Sequence, residues 1–330
     1  MLGATGIGML GAAGVHAAAH LPLCQQTQQV VGWEHGQPCV SRDVAVQGAT
    51  AWRYTGAPFH LKDQLDSWRT GHHQVLSAPD QAAGLGDSRD LKVVSWNLHH
   101  GLSQDATGAR PQLDTMIENL QEENADLVLL QEVQPGHALK LTEALGMQGY
   151  YAMSTPVQGN MILLRPDIQV RAESVTFTTG QPAQDPLGTL KDWVTAGGGP
   201  SEPRNVQILK VEMPDGQAGL IWNTHHLTGD YSLQQKQAAA DTLVSALRQN
   251  LQPGEWMVGG GDLNASGSSS PLVAGLSQLP GVTGQQRNID WIYASDSARA
   301  QLSGQSVESG GVMVSDHPLV RADLTLPEKV

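Results

Sequence analysis

Polar side chains that could move a proton or bind a cation recur where apolar segments of this sequence end. Asn97 closes the run VVSWN, and Glu132 follows the run DLVLLQ. Later in the chain, His225 ends LIWNTH, while Asp262 and Asn264 end WMVGGGDLN. A carboxylate that follows a buried strand loses hydration and favours a cation beside it, and imidazole titrates near neutral pH. These residue types indicate acid–base or metal chemistry at the ends of strands.

Two further segments add residues of the same kind. Asp290 lies within NIDWIY, and Asp316 and His317 precede the run PLVRADLTL. Taken singly, such positions have simpler interpretations, since Asn97 could be a turn residue and Glu132 could pair with a surface lysine. Six of them on six apolar segments exceed what loop polarity normally gives, and the edge outside strand ends is the usual place for a site in an α/β sheet. We therefore expect these residues to share one site.

Two other kinds of site are disfavoured by spacing. Adjacent histidines at 72–73, 99–100 and 225–226 could suggest zinc, but neighbouring residues of a strand point to opposite faces and rarely chelate one ion. The run Gly259–Gly261 before Asp262 resembles a phosphate-binding loop, but it lacks the G-x-x-x-x-G-K-[ST] spacing. The three glycines fit a close approach of another backbone or of a substrate better.

Strand-like and helix-like segments alternate from Leu91 onwards, which indicates an α/β fold with a mixed sheet. The expected strands cover residues 91–98, 125–133, 159–166, 204–213, 218–227, 255–264, 288–295 and 317–326. The expected helices cover residues 111–124, 137–146 and 232–250. Ser232 and Gln235 predict a capping box at the start of the last helix. An Asp-Gly turn at 213–217 predicts a hairpin, and the stretch from Pro166 to Arg204 is expected to be a long loop.

Composition limits the kinds of partner. The chain has 330 residues, of which 40% are hydrophobic, and this is enough for a large domain with a proper core. Acidic residues outnumber basic ones by 32 to 19, and the net charge is −13. This charge argues against a broad surface that grips many phosphates. It leaves open an enzyme whose few basic groups surround one cleft, and it also fits a site whose carboxylates need a metal ion.

The N-terminal part of the chain bears on where the protein acts. Residues 1–23 are apolar and small, without a charged side chain, and they include small residues of the type that signal peptidase recognises. We expect an export signal there, and hence a secreted or periplasmic protein, with a buried N-terminal helix as the alternative. Cys24 and Cys39 are the only cysteines, and after export they would form one disulfide. In a reducing cytosol they would be two thiols. Residues 24–90 are expected to form an extension with a linker, and residues 91–326 the main domain.

The order of the motifs adds a resemblance to one family. Seven motifs occur in the order SWNLHHG, LVLLQEV, GNMILL, IWNTHHL, GGGDLN, NIDWIY and SDHPLV. This set resembles the endonuclease/exonuclease/phosphatase superfamily, which includes pancreatic-type deoxyribonuclease, the nuclease subunit of cytolethal distending toxin, inositol-polyphosphate 5-phosphatases and neutral sphingomyelinases. The resemblance implies a four-layer α/β sandwich, in which two mixed sheets pack face to face with helices outside. It also implies phosphoester hydrolysis assisted by Mg2+, for which Mn2+ would substitute.

The resemblance also assigns residues to the metal and to the attacking water. Glu132 would be the principal metal ligand, with Asn97 at or near the ion. Asp316 would help to set both the metal and the neighbouring histidine. Asp262 would orient or deprotonate the attacking water.

Five further residues are assigned to the phosphate by the same resemblance. Asn264 would hold the scissile phosphate, and His317 would contact it, with Asp290 buried behind the imidazole. His225 would stabilise or protonate at the phosphate. Arg204 matches a position where relatives often place a basic residue that contacts phosphate, although a solvated arginine is the alternative.

One departure from the family pattern concerns the NTH motif. The family usually has a single histidine there, whereas His225 is followed by His226 in this chain. We align His225 with the family residue and expect His226 to face the other way. Relatives often place a carboxylate behind this histidine, and the sequence does not reveal one here.

The core motifs do not fix the substrate, because one scaffold serves many phosphoesters. A sphingomyelinase would need an exposed aromatic hairpin, and an inositol-phosphate phosphatase would need a cluster of basic residues in its substrate loop, and the sequence shows neither. A nuclease or general phosphodiesterase acting on nucleic acid is therefore the expected function. The alternatives are a phosphatase or phospholipase for inositol phosphates or sphingomyelin, and a catalytically inactive binding module. No obligate protein partner is indicated, and we expect a monomer.

Overall fold

A computed structural model of the chain describes residues 90–99, 113–155, 158–179, 203–229, 231–267, 269–279, 282–295 and 315–326, together with the backbone of short strands elsewhere. The expected export signal in residues 1–23 and the expected Cys24–Cys39 disulfide lie outside these described residues. Within the described part of the chain, no helix is both long and apolar enough to cross a membrane.

The elements are numbered in chain order. The strands that precede the first helix are β1 (Trp33–Glu34), β2 (Gln37–Pro38), β3 (Ala45–Val46), β4 (Ala49–Thr50), β5 (Trp52–Arg53), β6 (His73–Ser77) and β7 (Asp90–Asn97). The middle strands are β8 (Leu127–Val133), β9 (Gln148–Thr155), β10 (Gln158–Leu164), β11 (Gln169–Thr179), β12 (Arg204–Glu212), β13 (Ala218–His225) and β14 (Trp256–Asp262). The last strands are β15 (Val282–Arg287), β16 (Asp290–Ser295), β17 (Arg299–Gln305), β18 (Glu308–Ser309), β19 (Val312–Met313) and β20 (Leu319–Thr325). The helices in the described part of the chain are α1 (Leu113–Glu123), α2 (Pro135–Leu145), α3 (Leu233–Asn250) and α4 (Pro271–Leu276).

Most of these strands form two mixed sheets. Sheet I has the order β17-β20-β7-β8-β10-β9-β6-β5, and sheet II has the order β11-β12-β13-β14-β16-β15. Neighbours are antiparallel except for β7 with β8, β5 with β6, and β13 with β14, which are parallel. The connection from β7 to β8 passes through α1, and the connection from β13 to β14 passes through α3. Each of these two crossovers brings the carboxyl ends of a parallel pair to the same edge of its sheet.

Three apolar clusters divide the molecule into four layers. Helices α1 and α2 cover the outer face of sheet I, where Met116 and Leu141 share a cluster with Trp96. The inner faces of the two sheets pack on each other through residues such as Leu129 and Ile221. Helices α3 and α4 cover the outer face of sheet II. The fold is the four-layer α/β sandwich that the resemblance predicted.

Local sequence signals explain how several of these elements begin and end. The predicted capping box is present, because Ser232 Oγ accepts a hydrogen bond from the Gln235 backbone N–H at 3.3 Å and Gln235 Oε1 accepts one from the Ser232 backbone N–H at 3.0 Å. The Asp-Gly turn joins β12 to β13 as a hairpin, with Gly216 in the left-handed region at φ +81°. Gly146 ends α2 in the same region, at φ +63°.

The expectation of a long loop from Pro166 to Arg204 is wrong for its first part. The eleven residues of β11 occupy Gln169–Thr179 and pair with β12 in antiparallel register. β11 lies at the end of sheet II and is polar and partly exposed along its length. It therefore lacks the apolar run that marks the buried strands, and its conformation depends on pairing with β12. Residues 180–202 lie outside the described part of the chain.

Sequence patterning also did not predict β9, which follows α2 and is buried along most of its length. Residues of the expected extension take part in the same sheet, because β6 pairs with β9 in antiparallel register. Tyr150 and Tyr151 are typical strand residues, but the short gap between a helix and the next apolar run concealed the strand.

Candidate active site

The inner faces of both sheets change from apolar to polar toward one edge of the sandwich. The two-residue period that buries apolar side chains between the sheets also directs Asn97 of β7, His225 of β13, Asp262 of β14 and Asp290 of β16 inward. Strand pairing places His225 opposite Asp262, and Asp262 opposite Asp290. His317 lies two residues before β20, which pairs with β7. Five of the predicted residues are therefore brought together by sheet register.

The Asp262 carboxylate is the centre of this group and is almost fully buried. Its Oδ2 accepts a hydrogen bond from Asn97 Nδ2 at 3.1 Å. The same oxygen lies 3.4 Å from His225 Nε2 and 3.5 Å from His317 Nε2. Its Oδ1 accepts a hydrogen bond from the Asn264 backbone N–H at 2.8 Å. One carboxylate thus collects polar groups from both sheets.

Burial and charge shift the protonation of three of these groups. Burial raises the pKa of Asp262 to about 6, because the charge of His317 only partly offsets the lost hydration. Burial alone would lower the pKa of His317, but the hydrogen bond to Asp290, at 3.0 Å, and the charge of Asp262 outweigh it and raise that pKa to about 9. Burial also raises the pKa of Asp290, against the effect of His317. At neutral pH, His317 is therefore mostly a cation beside two carboxylates.

Glu132 reaches the same pocket through a break in the strand period. A regular strand would turn Glu132 toward the helix layer, as it turns Leu130. Glu132 instead has φ +54°, a left-handed conformation that costs a non-glycine residue about 1–3 kcal/mol. Its Oε1 accepts a hydrogen bond from Asn97 Nδ2 at 3.3 Å and lies 3.7 Å from His225 Nδ1. The strained backbone thus directs the carboxylate inward, toward Asn97 and His225.

The two histidines of the NTHH segment face different surroundings. His225 lies among Glu132 and Asp262, and its Nδ1 is 2.7 Å from Nη1 of Arg204. His226 is also buried, and burial, followed by the charges of Arg204 and Lys236, lowers its pKa to about 3. Lys236 belongs to α3, which covers the outer face of sheet II. His226 therefore faces away from the carboxylates, as expected for the residue that follows His225.

Arg204 occupies a different place from that of a solvated arginine. It begins β12 and is only 3% exposed. Its backbone N–H donates to Thr179 Oγ1 at 3.1 Å, and its carbonyl accepts from Thr178 Oγ1 at 3.2 Å. The guanidinium is therefore held beside His225, and a contact with phosphate stays a prediction.

Asp316 and Asn264 lie at the margin of the group. Asp316 is exposed, and its Oδ1 is 3.5 Å from Nδ1 of His99 and 4.0 Å from Nε2 of His317. Asn264 has φ +50°, and its Nδ2 donates to the carbonyl of His226 at 3.1 Å. His99, which our sequence reasoning did not assign, has φ +46° and donates its backbone N–H to Asn97 Oδ1. Its position two residues after the strand end was the available signal.

The glycines of GGGD allow close backbone approach, as their sequence suggested. A Cβ built on Gly259 would lie 2.3 Å from the carbonyl oxygen of Trp222, and one built on Gly261 would lie 2.0 Å from that of Thr224. Gly261 also has φ +125°, which side chains disfavour. These two glycines let β14 pack tightly against β13, which brings Asp262 beside His225.

A buried amide contact behind the site was not predicted. Gln131 Nε2 donates to Asn223 Oδ1 at 2.8 Å, and Asn223 Nδ2 donates to the carbonyl of Leu130 at 2.8 Å. Both side chains are fully buried, and they connect sheet I to sheet II directly below the site. These hydrogen bonds join the two sheets beneath the point where the polar groups meet.

The donor set fits a divalent metal ion. Asp262 and Asp290 offer carboxylate oxygens, and His317 in its deprotonated form offers a ring nitrogen, all within 4.8 Å of one another. Glu132 supplies a further, largely buried carboxylate that joins the same pocket through Asn97. Several carboxylate oxygens in one partly buried pocket repel each other, and a divalent cation is the ordinary means of neutralising them. The predicted set of Glu132, Asn97 and Asp316 overlaps this pocket, but Asn97 presents its amide nitrogen to the carboxylates.

Comparison with known proteins agrees with this geometry. The model of the Endonuclease/Exonuclease/phosphatase family matches residues 94–317. The chain belongs to this family. Members of the endonuclease/exonuclease/phosphatase family are phosphoesterases, so the protein is a hydrolase of this superfamily, and the pocket lies inside the matched segment. No curated protein matches the chain in sequence.

Solved structures share the fold at low sequence identity. The endonuclease/exonuclease/phosphatase from Bacteroides vulgatus has a TM-score of 0.57 and 16% identity, over 72% of this chain and 99% of its own. Truncated TDP2 from Caenorhabditis elegans has a TM-score of 0.53 and 19% identity, and the match covers 72% of this chain and 97% of its own. The Bacteroides thetaiotaomicron mannosyl-6-phosphatase Bt3783 has a TM-score of 0.56 and 16% identity, and the match covers 71% of this chain and 99% of its own. At such identities the likeness shows the shared architecture of the family and leaves the substrate to the site.

Proposed function

We propose that the protein is a Mg2+-dependent phosphodiesterase and that nucleic acid is its favoured substrate. The observation that carries this proposal is the convergence of Asn97, His225 and His317 on one oxygen of Asp262, at 3.1–3.5 Å. A buried carboxylate flanked by two imidazoles offers a base for water and donors for a phosphate within one pocket.

The side chains suit the steps of phosphoester hydrolysis. Asp262 would accept the proton of the attacking water, since a carboxyl with a pKa of about 6 is a stronger base than an ordinary aspartate and is still mostly ionised at pH 7. His317, held by Asp290, would donate to a non-bridging phosphate oxygen and offset the charge that develops there. His225 would donate from the other side of Asp262.

The metal would act on the same phosphate. A bound divalent cation polarises a phosphoester and offsets its negative charge. Glu132 would hold the ion, with Asn97 and Asp316 near it, as the family pattern implies. Mg2+ is favoured because carboxylate oxygens are hard ligands, and Mn2+ would substitute for it.

A second candidate is hydrolysis of a phosphomonoester. The fold is similar to that of Bt3783, which is named a mannosyl-6-phosphatase. The net charge of −13 also favours a small substrate over a long polyanion. Under this candidate the same residues act, on a phosphate that carries one ester bond and one more negative charge and is released as inorganic phosphate.

The test is hydrolysis measured with purified full-length protein and Mg2+, with and without a chelator. The substrates are plasmid DNA, RNA, bis(p-nitrophenyl) phosphate and p-nitrophenyl phosphate. We expect cleavage of DNA and of the diester, lost with chelator. Preferential cleavage of the monoester would favour the second candidate, and no cleavage of any substrate would overturn the proposal.

A matched pair of variants locates the activity. Asp262→Asn should lower kcat by about 10²- to 10⁴-fold, as expected when a general base is removed. The control Asp241→Asn changes an exposed aspartate of α3 and should keep normal activity. Near-normal activity of Asp262→Asn would show that the pocket is not the active site.

A further inference from the structure

The contact between Arg204 and His225 fixes the arrangement of protons in the pocket. Arg204 Nη1 lies 2.7 Å from His225 Nδ1, and both side chains are buried. A guanidinium has only N–H donors and stays protonated in proteins. Nδ1 must therefore be the acceptor, and the proton of the neutral ring must sit on Nε2. That nitrogen lies 3.4 Å from Asp262 Oδ2.

We infer that Arg204 is a positioning residue for His225, since its hydrogen bond to Nδ1 directs Nε2–H toward Asp262 and the phosphate position. Glu132 Oε1 lies 3.7 Å from Nδ1, which is too distant for a hydrogen bond. Arg204 thus occupies the side of His225 where the family resemblance implied a carboxylate. The inference deepens the proposed function and rests on it for the effect on catalysis.

The two histidines therefore have opposite partners on Nδ1. His317 has the Asp290 carboxylate there, which favours a charged ring. His225 has the Arg204 guanidinium, which can only donate, so Nδ1 accepts and the donor of this ring lies at Nε2. While Arg204 stays bound, His225 cannot accept the proton of the attacking water at Nε2, because that nitrogen already carries one. Asp262 is then the group left to act as the base.

The backbone holds Arg204 in this position. Its strand neighbours in β11 bind both its N–H and its carbonyl through the side chains of Thr179 and Thr178. The pairing of β11 with β12 is irregular between Phe177 and Thr179, next to Arg204. The edge strand that sequence patterning missed thus anchors the residue that orients His225.

The direct test is the tautomer of His225 in the full-length protein. The chain is labelled with 15N-histidine, and the His225 ring signals are assigned with a His225→Gln variant. We expect an unprotonated Nδ1 and a protonated Nε2 in the wild type. Arg204→Met should make both nitrogens exchange between the two tautomers. Arg171→Met, which removes an exposed arginine of β11 that pairs with Glu212, should leave the His225 signals unchanged.

The kinetic test separates positioning from phosphate binding. Arg204→Met should lower kcat by roughly 10- to 100-fold, the range typical of residues that orient an active-site imidazole, with KM nearly unchanged. Arg204→Lys, which keeps a donor, should restore part of kcat. A rise in KM with kcat unchanged would instead identify Arg204 as a phosphate contact and overturn the inference.

Two further results would also overturn it. One is a wild-type spectrum with the proton on Nδ1, and this measurement does not need the Arg204→Met variant to fold. The other is an Arg204→Met spectrum identical to that of the wild type. If the wild type cleaves no phosphoester, the proposed function fails, whereas the tautomer measurement still decides whether Arg204 positions His225.

Discussion

At the scale of single residues, the site depends on how each polar group is stabilised by its neighbours. His317 is the clearest case, because its raised pKa results from Asp290 and Asp262 acting against burial. The folded protein holds a proton on His317 up to about pH 9, whereas an unfolded histidine loses it near pH 6.5. Protonation of His317 therefore contributes stability that is complete below pH 6.5 and is lost as the pH rises toward 9.

The first prediction follows from this linkage. In chelator, the wild type should lose up to about 3 kcal/mol of unfolding free energy between pH 6.5 and 9 relative to His317→Ala. Urea unfolding of both proteins across this range measures the difference. His137→Ala is the matched control, because burial and then the charge of Lys140 lower the pKa of His137. His137 therefore makes the unfolding free energy depend on pH below 6.5, where stability falls as the pH falls. A pH-independent difference for His317→Ala would contradict the assigned contacts.

Much of the site could be predicted at the residue scale, since Asn97, His225 and Asp262 follow apolar runs whose period directs them inward. The contact of Arg204 with His225 could not be predicted in this way. It depends on a long-range pairing between β11 and β12 and on a register irregularity that no local pattern shows. The inward direction of the Glu132 side chain depends on a left-handed backbone conformation, which cannot be predicted from a glutamate in the sequence.

At the scale of the elements, close packing of β14 on β13 determines whether Asp262 meets His225. Gly261 combines φ +125° with a position where a Cβ would lie 2.0 Å from the Thr224 carbonyl oxygen. Gly267 has φ +99°, but a Cβ built there would meet no atom within 4 Å. A substitution at Gly267 therefore tests backbone strain without steric overlap. We predict that Gly267→Ala costs about 1–3 kcal/mol.

Gly261→Ala should cost about 1–3 kcal/mol more than Gly267→Ala, because overpacking forces the neighbouring backbone to shift. Urea unfolding measures both costs, and hydrolysis of bis(p-nitrophenyl) phosphate by Gly261→Ala should fall even under conditions where the variant is folded. Equal costs for the two variants would show that β14 does not need its close approach to β13.

The strands differ in how well they can be predicted from the sequence. Buried strands such as β8 carry continuous apolar runs and were predicted within two residues of their ends. β11 was taken for part of a loop because an edge strand mixes polar and apolar residues without a buried face. Its conformation is a property of sheet II, and only the pairing with β12 reveals it.

At the scale of the whole molecule, two sheets meet face to face and bring carboxylates from both into one pocket. Sheet I contributes the Glu132 carboxylate to this pocket, and sheet II contributes those of Asp262 and Asp290. An ion that binds Glu132 together with a carboxylate of sheet II would join the two sheets in the folded state only. A divalent ion bound between them should therefore stabilise the complete fold.

The last prediction tests this coupling. Mg2+ at about 100 times its dissociation constant should raise the unfolding free energy of the wild type by about 2.7 kcal/mol. Glu132→Gln should abolish this increment, because it removes the carboxylate that would hold the ion. Glu143→Gln, an exposed change on α2, should keep the full increment. Thermal unfolding with and without Mg2+ measures the increment for all three proteins. An increment retained in Glu132→Gln would place the ion on other ligands. Among the described residues, Asp262, Asp290 and His317 form a group that could hold it.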